Sequence, residues 1–136
     1  SPHAISIWIA LDDATIQNGC MYYLPGSHKV AQYDKKGDFS PNMSVLFEEY
    51  PELRSVEPVP GVMKAGMAGF HNGLMAHAAG PNMTPYARRA MTCAYMPDGA
   101  TFNGIQNILS KEYCESMEIG DLHNDDEQTP LVWSQK

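Results

Sequence analysis

The sequence has few basic residues and no long apolar run, and these two shortages exclude two classes of partner. Nine Lys and Arg stand against 16 Asp and Glu among 136 residues, which gives a formal net charge of -7. Because phosphate backbones attract basic proteins, this balance argues against nucleic acid as a partner. The longest apolar run, at residues 5–11, is far below the ~20 residues that a membrane helix requires, so we expect no membrane partner either.

Cysteine is also scarce. Cys20, Cys93 and Cys114 are odd in number and widely spaced, so the sequence predicts no disulfide framework and a reducing compartment, the cytoplasm. Cys20 lies among apolar residues, which favours a place in the core over a role as a nucleophile. A Gly-rich phosphate loop, a Cys-x-x-Cys pair and a Gly-x-Ser-x-Gly elbow are missing, so the sites that depend on these motifs are not expected.

The sequence does contain enough apolar residues for one core, divided into short pieces. Hydrophobic residues make up 43% of the chain, and 11 Gly and 10 Pro separate the brief apolar runs. This pattern predicts a single all-β domain over residues 1–136, a sandwich or barrel with minor helices. Because residues 5–11 are almost continuously apolar, we expect this strand to be covered on both faces. Strands are predicted at residues 5–11, 20–24, 62–64, 67–71, 74–77 and 88–96.

The polar, Pro-rich segment from about residue 30 to 60 is interpreted as an insertion between strands. It includes a predicted helix at residues 43–50, for which Asn42 or Ser44 is the candidate N-cap. A second helix is predicted at residues 105–117, ahead of an acidic loop. Since the first strand begins almost at once, we expect the chain to be a piece of a longer protein.

His77 is the histidine most suited to chemistry among the five in the chain. It ends the predicted strand 74–77 and precedes an Ala-Ala-Gly-Pro-Asn break. A ligand at a strand end can face the mouth of a barrel, and imidazole is a versatile ligand for iron. His77 is therefore a candidate metal ligand, and the alternative is a histidine held in the structure by hydrogen bonds.

Arg88 is the second candidate, 11 residues beyond His77. On a strand, Arg88 shares one face with Ala90, Thr92 and Ala94, whose small side chains leave room for a bound molecule. A guanidinium above them can hold a carboxylate through two parallel hydrogen bonds. The alternative is that Arg88 and Arg89 are surface arginines on an edge strand.

Three other groups are weaker candidates. Asp12 and Asp13 follow the first strand and could bind a metal, although an acidic pair that opens a loop is usually solvated. His123-Asn124-Asp125 matches the His-x-Asp pattern of an iron site, but it lies in a polar tail without strand character. His71, at a predicted turn, is interpreted as a structural residue or a support for the site.

Two blocks of sequence resemble the phytanoyl-CoA dioxygenase family. The first block reads WIALDDAT at residues 8–15, NGCM at 18–21 and LPGSHK at 24–29. The second block reads FHNGLMAHAAGPN at residues 70–82, followed by RRA at 88–90. The two blocks are in the right order with the right gap from His to Arg, and the resemblance extends from residue 5 to about residue 104.

The resemblance implies a non-haem dioxygenase that uses Fe(II) and 2-oxoglutarate to hydroxylate a small organic substrate. The fold it implies is a double-stranded β-helix, a jelly roll of two facing sheets. By position, His77 is similar to the family's distal iron-binding histidine, and Arg88 to the arginine that binds the far carboxylate of 2-oxoglutarate. Trp8 matches an aromatic residue that lies beside 2-oxoglutarate in some members. Ala79 falls where some members have a serine near the cosubstrate, so that contact is not expected.

The sequence departs from the family pattern ahead of the first strand. There the family has a His-x-Asp pair that completes the iron site, and His3 is not such a pair because Ile5 stands in place of Asp. We therefore expect the chain to be the C-terminal part of the jelly roll, with one of three iron ligands.

Other interpretations stay open. The chain could be a non-catalytic jelly-roll fragment or a binding module without a competent metal site. It could also be a structural β-sandwich that packs against a partner through apolar residues. A jelly roll that lacks strands leaves unpaired edges, so self-association is expected.

Overall fold

The computed structural model describes residues 3–32, 44–106 and 108–134. The chain divides into two compact units, Ser1–Tyr95 and Met96–Lys136. The named strands all lie in the first unit, while the single domain over residues 1–136 stays a prediction. Among the described residues, no helix has the length and apolar character needed to cross a membrane.

The regular elements are short, as the spacing of Gly and Pro predicts. The strands are β1 Ile5–Ala10, β2 Met21–Tyr23, β3 Val59–Gly61, β4 Ala68–Asn72, β5 His77–Ala79 and β6 Ala90–Tyr95. The α-helices are α1 Ser44–Glu49 and α2 Lys111–Glu115, and single 3-10 turns lie at Ser27–Lys29 and Pro51–Ser55.

The strands form two antiparallel sheets of three. The first has the order β4-β1-β6 and the second the order β3-β2-β5. In the first sheet, Trp8 lies opposite both Gly69 and Thr92, and Ser6 lies opposite His71. Residues directly opposite each other share a face, so these five positions line one side of the sheet.

Residues from both sheets share one core. Trp8 and Ala10 of β1 pack with Ala14, with Cys20 and with Met21 of β2. Cys20 is fully buried, and this burial raises the pKa of its thiol, so its predicted place in the core is confirmed. Two antiparallel sheets with few helices also confirm the mostly β architecture, and closure into a jelly roll stays a prediction.

The predicted strand at residues 62–64 is wrong by three positions. The strand is β3, with Pro60 at its centre opposite Tyr22. Proline is tolerated there because β3 is an edge strand, where one backbone N–H need not pair. Met63 instead forms an isolated bridge with Ala14. The backbone amide of each residue donates a hydrogen bond to the carbonyl oxygen of the other.

The predicted strand at residues 74–77 is also displaced. The Asn72 side chain accepts a hydrogen bond from the amide of Leu74 at 2.8 Å and closes a turn. The next strand is β5, in which His77 pairs with Tyr23, so His77 begins a strand where it was predicted to end one. The error arises because pairing with β2, and not local apolar content, sets where this short strand starts.

The two helix predictions differ in accuracy. Helix α1 confirms the prediction at 43–50, whose first residue and whose candidate cap Asn42 lie outside the described residues. The helix predicted at 105–117 is limited to α2. It starts late because the Ser110 hydroxyl accepts a hydrogen bond from the Tyr113 amide at 3.1 Å, which caps the helix there.

Candidate functional site

The His77 side chain is oriented by the turn that precedes it. Its Nδ1 lies 2.8 Å from the carbonyl oxygen of Met75. Since a carbonyl oxygen can only accept, Nδ1 carries the proton, and Nε2 keeps the lone pair that a metal ligand needs. The turn is itself fixed, because the buried Ser27 hydroxyl accepts a hydrogen bond from the Ala76 amide at 2.8 Å.

His71 lies beside His77. The two imidazole centroids are 4.3 Å apart, and His71 is only 8% exposed. Burial lowers the pKa of His71. His71 is therefore a neutral ring packed against the candidate metal ligand, and its role as a structural residue or a support for the site stays a prediction.

Arg88 lies just ahead of β6, over the ring of Trp8. Its Cζ is 5.2 Å from the centroid of that ring, a distance at which a cation is attracted to the aromatic face. One terminal nitrogen, Nη2, donates to the carbonyl oxygen of Gly19 at 2.8 Å. The Nε atom is buried and has no hydrogen-bond partner within the described part of the chain. Trp8 is 5% exposed and fixes the position of this guanidinium.

Arg89 points the other way, as alternation along a strand predicts. Its Nε and Nη2 donate to the two carboxylate oxygens of Asp12 at 2.9 and 2.8 Å, and its backbone amide donates to Asp12 as well. These hydrogen bonds lower the pKa of Asp12 to about 2. Arg89 thus has an internal carboxylate partner, whereas among the described residues no carboxylate pairs with Arg88.

His77 and Arg88 each contact a residue on the same face of the β4-β1-β6 sheet. His71, next to His77, lies opposite Ser6, and Trp8, under Arg88, is two residues farther along β1. Side chains two residues apart on a strand share a face. The register therefore supports the prediction that both groups border one cavity, which stays a prediction.

Tyr23 is a residue of this region that the sequence did not single out. Its ring centroid is 5.5 Å from that of His71 and 6.1 Å from that of His77. Its hydroxyl is buried and, within the described residues, has no hydrogen-bond partner. Only the pairing of β2 with β5 brings Tyr23 opposite His77, and no local motif signals that pairing.

The other predicted candidates do not form a metal site. The Asp13 carboxylate forms an ion pair with the Nζ of Lys64 at 2.7 Å. Asp12 is paired in the same way with Arg89. Asp125 accepts hydrogen bonds from the amides of Glu127 and Gln128, and so caps its own loop. Throughout the described ranges, no group of three His, Cys, Asp or Glu residues is placed to hold a metal ion.

The sequence matches one known protein family and several of its members. The sequence model of the phytanoyl-CoA dioxygenase (PhyH) family matches residues 1–90. A phytanoyl-CoA dioxygenase domain-containing protein 1 homolog of Caenorhabditis elegans is 29% identical over 132 residues, which cover 90% of this chain and 44% of that protein. A methylphosphonate hydroxylase of Gimesia maris is 33% identical over 93 residues, which cover 67% of this chain and 32% of that protein.

A solved structure matches as well. The non-heme alpha ketoglutarate dependent carbocyclase SnoK from nogalamycin biosynthesis aligns with a TM-score of 0.69 and 28% identity. The alignment covers 90% of this chain and 46% of SnoK. The chain thus spans between about a third and a half of the length of the proteins it matches.

Proposed function

Because this chain belongs to the phytanoyl-CoA dioxygenase family, we propose that it acts in the Fe(II)- and 2-oxoglutarate-dependent hydroxylation of a small organic substrate. Its likeness to SnoK, an alpha ketoglutarate dependent carbocyclase, supports the use of 2-oxoglutarate. The observation that carries the proposal is the guanidinium of Arg88, held over Trp8 with its Nε atom buried and without a partner among the described residues.

In this proposal Arg88 binds the far carboxylate of 2-oxoglutarate. A buried, unpartnered N–H is costly, and an anionic acceptor removes that cost while it neutralises the charge. Because Nη2 is already engaged by Gly19, the guanidinium has a fixed orientation. A bound carboxylate would therefore be held at one angle, and the keto-acid end of the cosubstrate would be directed away from Arg88.

Trp8 supplies the surface beneath the cosubstrate. Its ring is almost fully buried and holds Arg88 by a cation–π contact. An apolar ring at this position excludes water from the guanidinium, which strengthens its attraction for a carboxylate. The side chain of Ala79, on β5, is a methyl group and can form no hydrogen bond with the cosubstrate.

His77 fits the role of one iron ligand. Its Nδ1 is bound to a backbone carbonyl, and its Nε2 has the free lone pair, which is the usual arrangement of a metal-binding histidine. Bound iron would supply the redox chemistry with dioxygen that couples decarboxylation of 2-oxoglutarate to hydroxylation of the substrate. The contribution of this chain is to orient the imidazole, through Met75, and to pack it against His71.

A non-catalytic binding module is the second candidate function. One observation favours it, namely that the described residues contain no set of three metal-binding side chains. His3 does not supply the His-x-Asp pair of the family, because Ile5 occupies the position of the Asp. Such a module would still bind a carboxylate at Arg88, but it would hold iron weakly.

The proposal is tested by the affinity for 2-oxoglutarate, measured by calorimetry with ferrous iron in the absence of oxygen. We expect Arg88→Gln to raise the dissociation constant roughly 10- to 100-fold, because a charge-assisted bidentate contact is lost. Arg89→Gln is the matched control, since Arg89 is the next residue and faces Asp12 instead. It is expected to leave the affinity unchanged.

Equal affinities in the Arg88 and Arg89 variants would contradict the assignment of Arg88. The same anaerobic titration, followed by visible absorption, separates the two candidate functions. A competent iron site gives the visible charge-transfer band of a keto acid chelated to ferrous iron, whereas a binding module takes up 2-oxoglutarate without this band.

A further inference from the structure

The hydroxyl of Tyr23 is a buried polar group that the function proposed above does not use. It lies on β2 and has no hydrogen-bond partner within the described residues. A phenol hydroxyl can donate one hydrogen bond. Buried polar atoms in folded proteins are nearly always paired, so a buried hydroxyl without a partner indicates a group that a ligand completes.

The hydroxyl reaches from one sheet to the other. Its oxygen is 3.6 Å from the position that a Cβ atom would occupy at Gly69, on β4. Gly69 lies directly opposite Trp8, the residue over which Arg88 is held. The Tyr23 oxygen is therefore on the same face as Trp8, and at the same position along the strands.

Gly69 leaves room for Met63. A Cβ atom at position 69 would lie 2.8 Å from the terminal methyl of Met63, closer than side chains normally approach, but 3.6 Å from the Tyr23 oxygen, an ordinary contact distance. The Met63 methyl and the Tyr23 hydroxyl therefore both lie over Gly69.

Three buried polar atoms without partners belong to this one region of the first unit. They are Tyr23 Oη, His71 Nδ1 and Arg88 Nε. Tyr23 contacts the ring of His71, and Arg88 contacts the ring of Trp8 on the same face of the sheet. Two of the three atoms, the phenol oxygen and the guanidinium nitrogen, are hydrogen-bond donors and require an acceptor. The ligand that satisfies both is rich in oxygen acceptors and negatively charged.

We propose that Tyr23 is a second binding residue for 2-oxoglutarate, whose hydroxyl donates a hydrogen bond to a carboxylate oxygen of the cosubstrate. The inference rests on the proposed function and adds to it a donor from the second sheet. With Arg88 from one sheet and Tyr23 from the other, the cosubstrate would be held between the two sheets.

The test is Tyr23→Phe, which removes one oxygen atom and keeps the ring against His71 and His77. The affinity for 2-oxoglutarate is measured by calorimetry with ferrous iron in the absence of oxygen, so that binding and not turnover is read. We expect the dissociation constant to rise roughly tenfold, the effect of one hydrogen bond to a charged acceptor. The matched control is Tyr22→Phe, the neighbour on β2, whose side chain leaves the strand on the other face. It is expected to leave the affinity unchanged.

Thermal unfolding of the same variants separates a ligand contact from a structural role. Removal of a buried hydroxyl without a partner is expected to leave the melting temperature of Tyr23→Phe unchanged or higher. Unchanged affinity in Tyr23→Phe, with Arg88→Gln still impaired, overturns this inference and leaves the proposed function standing. If the unsubstituted protein binds no 2-oxoglutarate, the proposed function fails, and this inference fails with it. A weaker affinity together with a lower melting temperature also overturns it, since the hydroxyl would then stabilise the fold.

Discussion

Adjacent arginines at the start of β6 have different environments because the backbone alternates. Arg88 lies over Trp8, and its Nε atom is buried without a partner among the described residues. Arg89 is 71% exposed in its side chain and forms a bidentate ion pair with Asp12. The chemistry of the site is therefore decided at the level of single residues, by which of two identical side chains faces the core.

The Asp12–Arg89 ion pair makes the stability of the fold depend on pH. Hydrogen bonds from Arg89 lower the pKa of Asp12 from 3.8 to about 2. A carboxyl whose pKa is lower in the folded chain stabilises the fold above its unfolded pKa and loses this contribution as the pH falls towards the folded value. We expect Asp12→Asn to lower the melting temperature at pH 7 and to differ little from the unsubstituted chain at pH 2.

Thermal unfolding followed by circular dichroism at both pH values measures this effect. The Arg89 side chain is largely exposed, so added salt is expected to reduce the difference at pH 7. A difference between the two proteins that persists unchanged at pH 2 would show that charge is not its cause.

At the scale of elements, two loops cross where Arg88 is fixed. Gly19, just ahead of β2, has a φ of +82°, and a Cβ atom there would lie 2.5 Å from the carbonyl oxygen of Gly80, just after β5. The carbonyl of Gly19 in turn accepts the hydrogen bond from Arg88. The close approach of the two loops therefore sets the position of the candidate anchor.

Gly19→Ala is expected to destabilise the chain by about 2–4 kcal/mol, since it combines left-handed strain with a backbone clash. Gly26→Ala is the matched control. Gly26 has the same φ of +82°, but nothing lies within 4 Å of its Cβ position, so only the strain of about 1–2 kcal/mol is expected. Urea unfolding measures both values. Equal losses would show that the loop crossing contributes nothing.

Long strands are easier to predict from the sequence than short ones. β1 and β6 are long, with periodic or continuous apolar patterns, and their positions were predicted to within about two residues. β3 and β5 have three residues each, and their starts are set by pairing with β2, which no local pattern encodes. The same reason explains which residues of the candidate site could be found from the sequence. His77 and Arg88 lie in recognisable motifs, whereas Tyr23 joins them only through the pairing of distant strands.

At the scale of the whole molecule, one sheet face and several strand edges are left open in the described residues. The run at 5–11 was expected to be covered on both faces, yet the face that bears Phe70 is exposed, and Phe70 itself is 66% accessible. Met91 and Tyr95 on β6 belong to the same face and are 47% and 41% exposed. Exposed apolar faces of this kind favour association, as do unpaired edges.

We therefore expect this chain on its own to self-associate, as the unpaired edges predict. Phe70→Lys, which places a charge on the open face, is expected to shift the distribution towards monomer in sedimentation velocity. Met83→Lys is the matched control, because Met83 is 68% exposed but lies outside the strands. A clean monomer of the unsubstituted chain at high concentration would contradict this expectation, and equal shifts in both variants would remove the face as its cause.

The proposed function requires that His77 and Arg88 serve one ligand over one face of the sheet. The most direct measurement is an experimental structure of the protein with 2-oxoglutarate and a divalent metal. We expect a carboxylate within about 3 Å of the Arg88 guanidinium and the keto-acid end on the side of the His77 imidazole. A 2-oxoglutarate bound elsewhere, or an Arg88 side chain turned away from His77 and paired with a protein carboxylate, would contradict it.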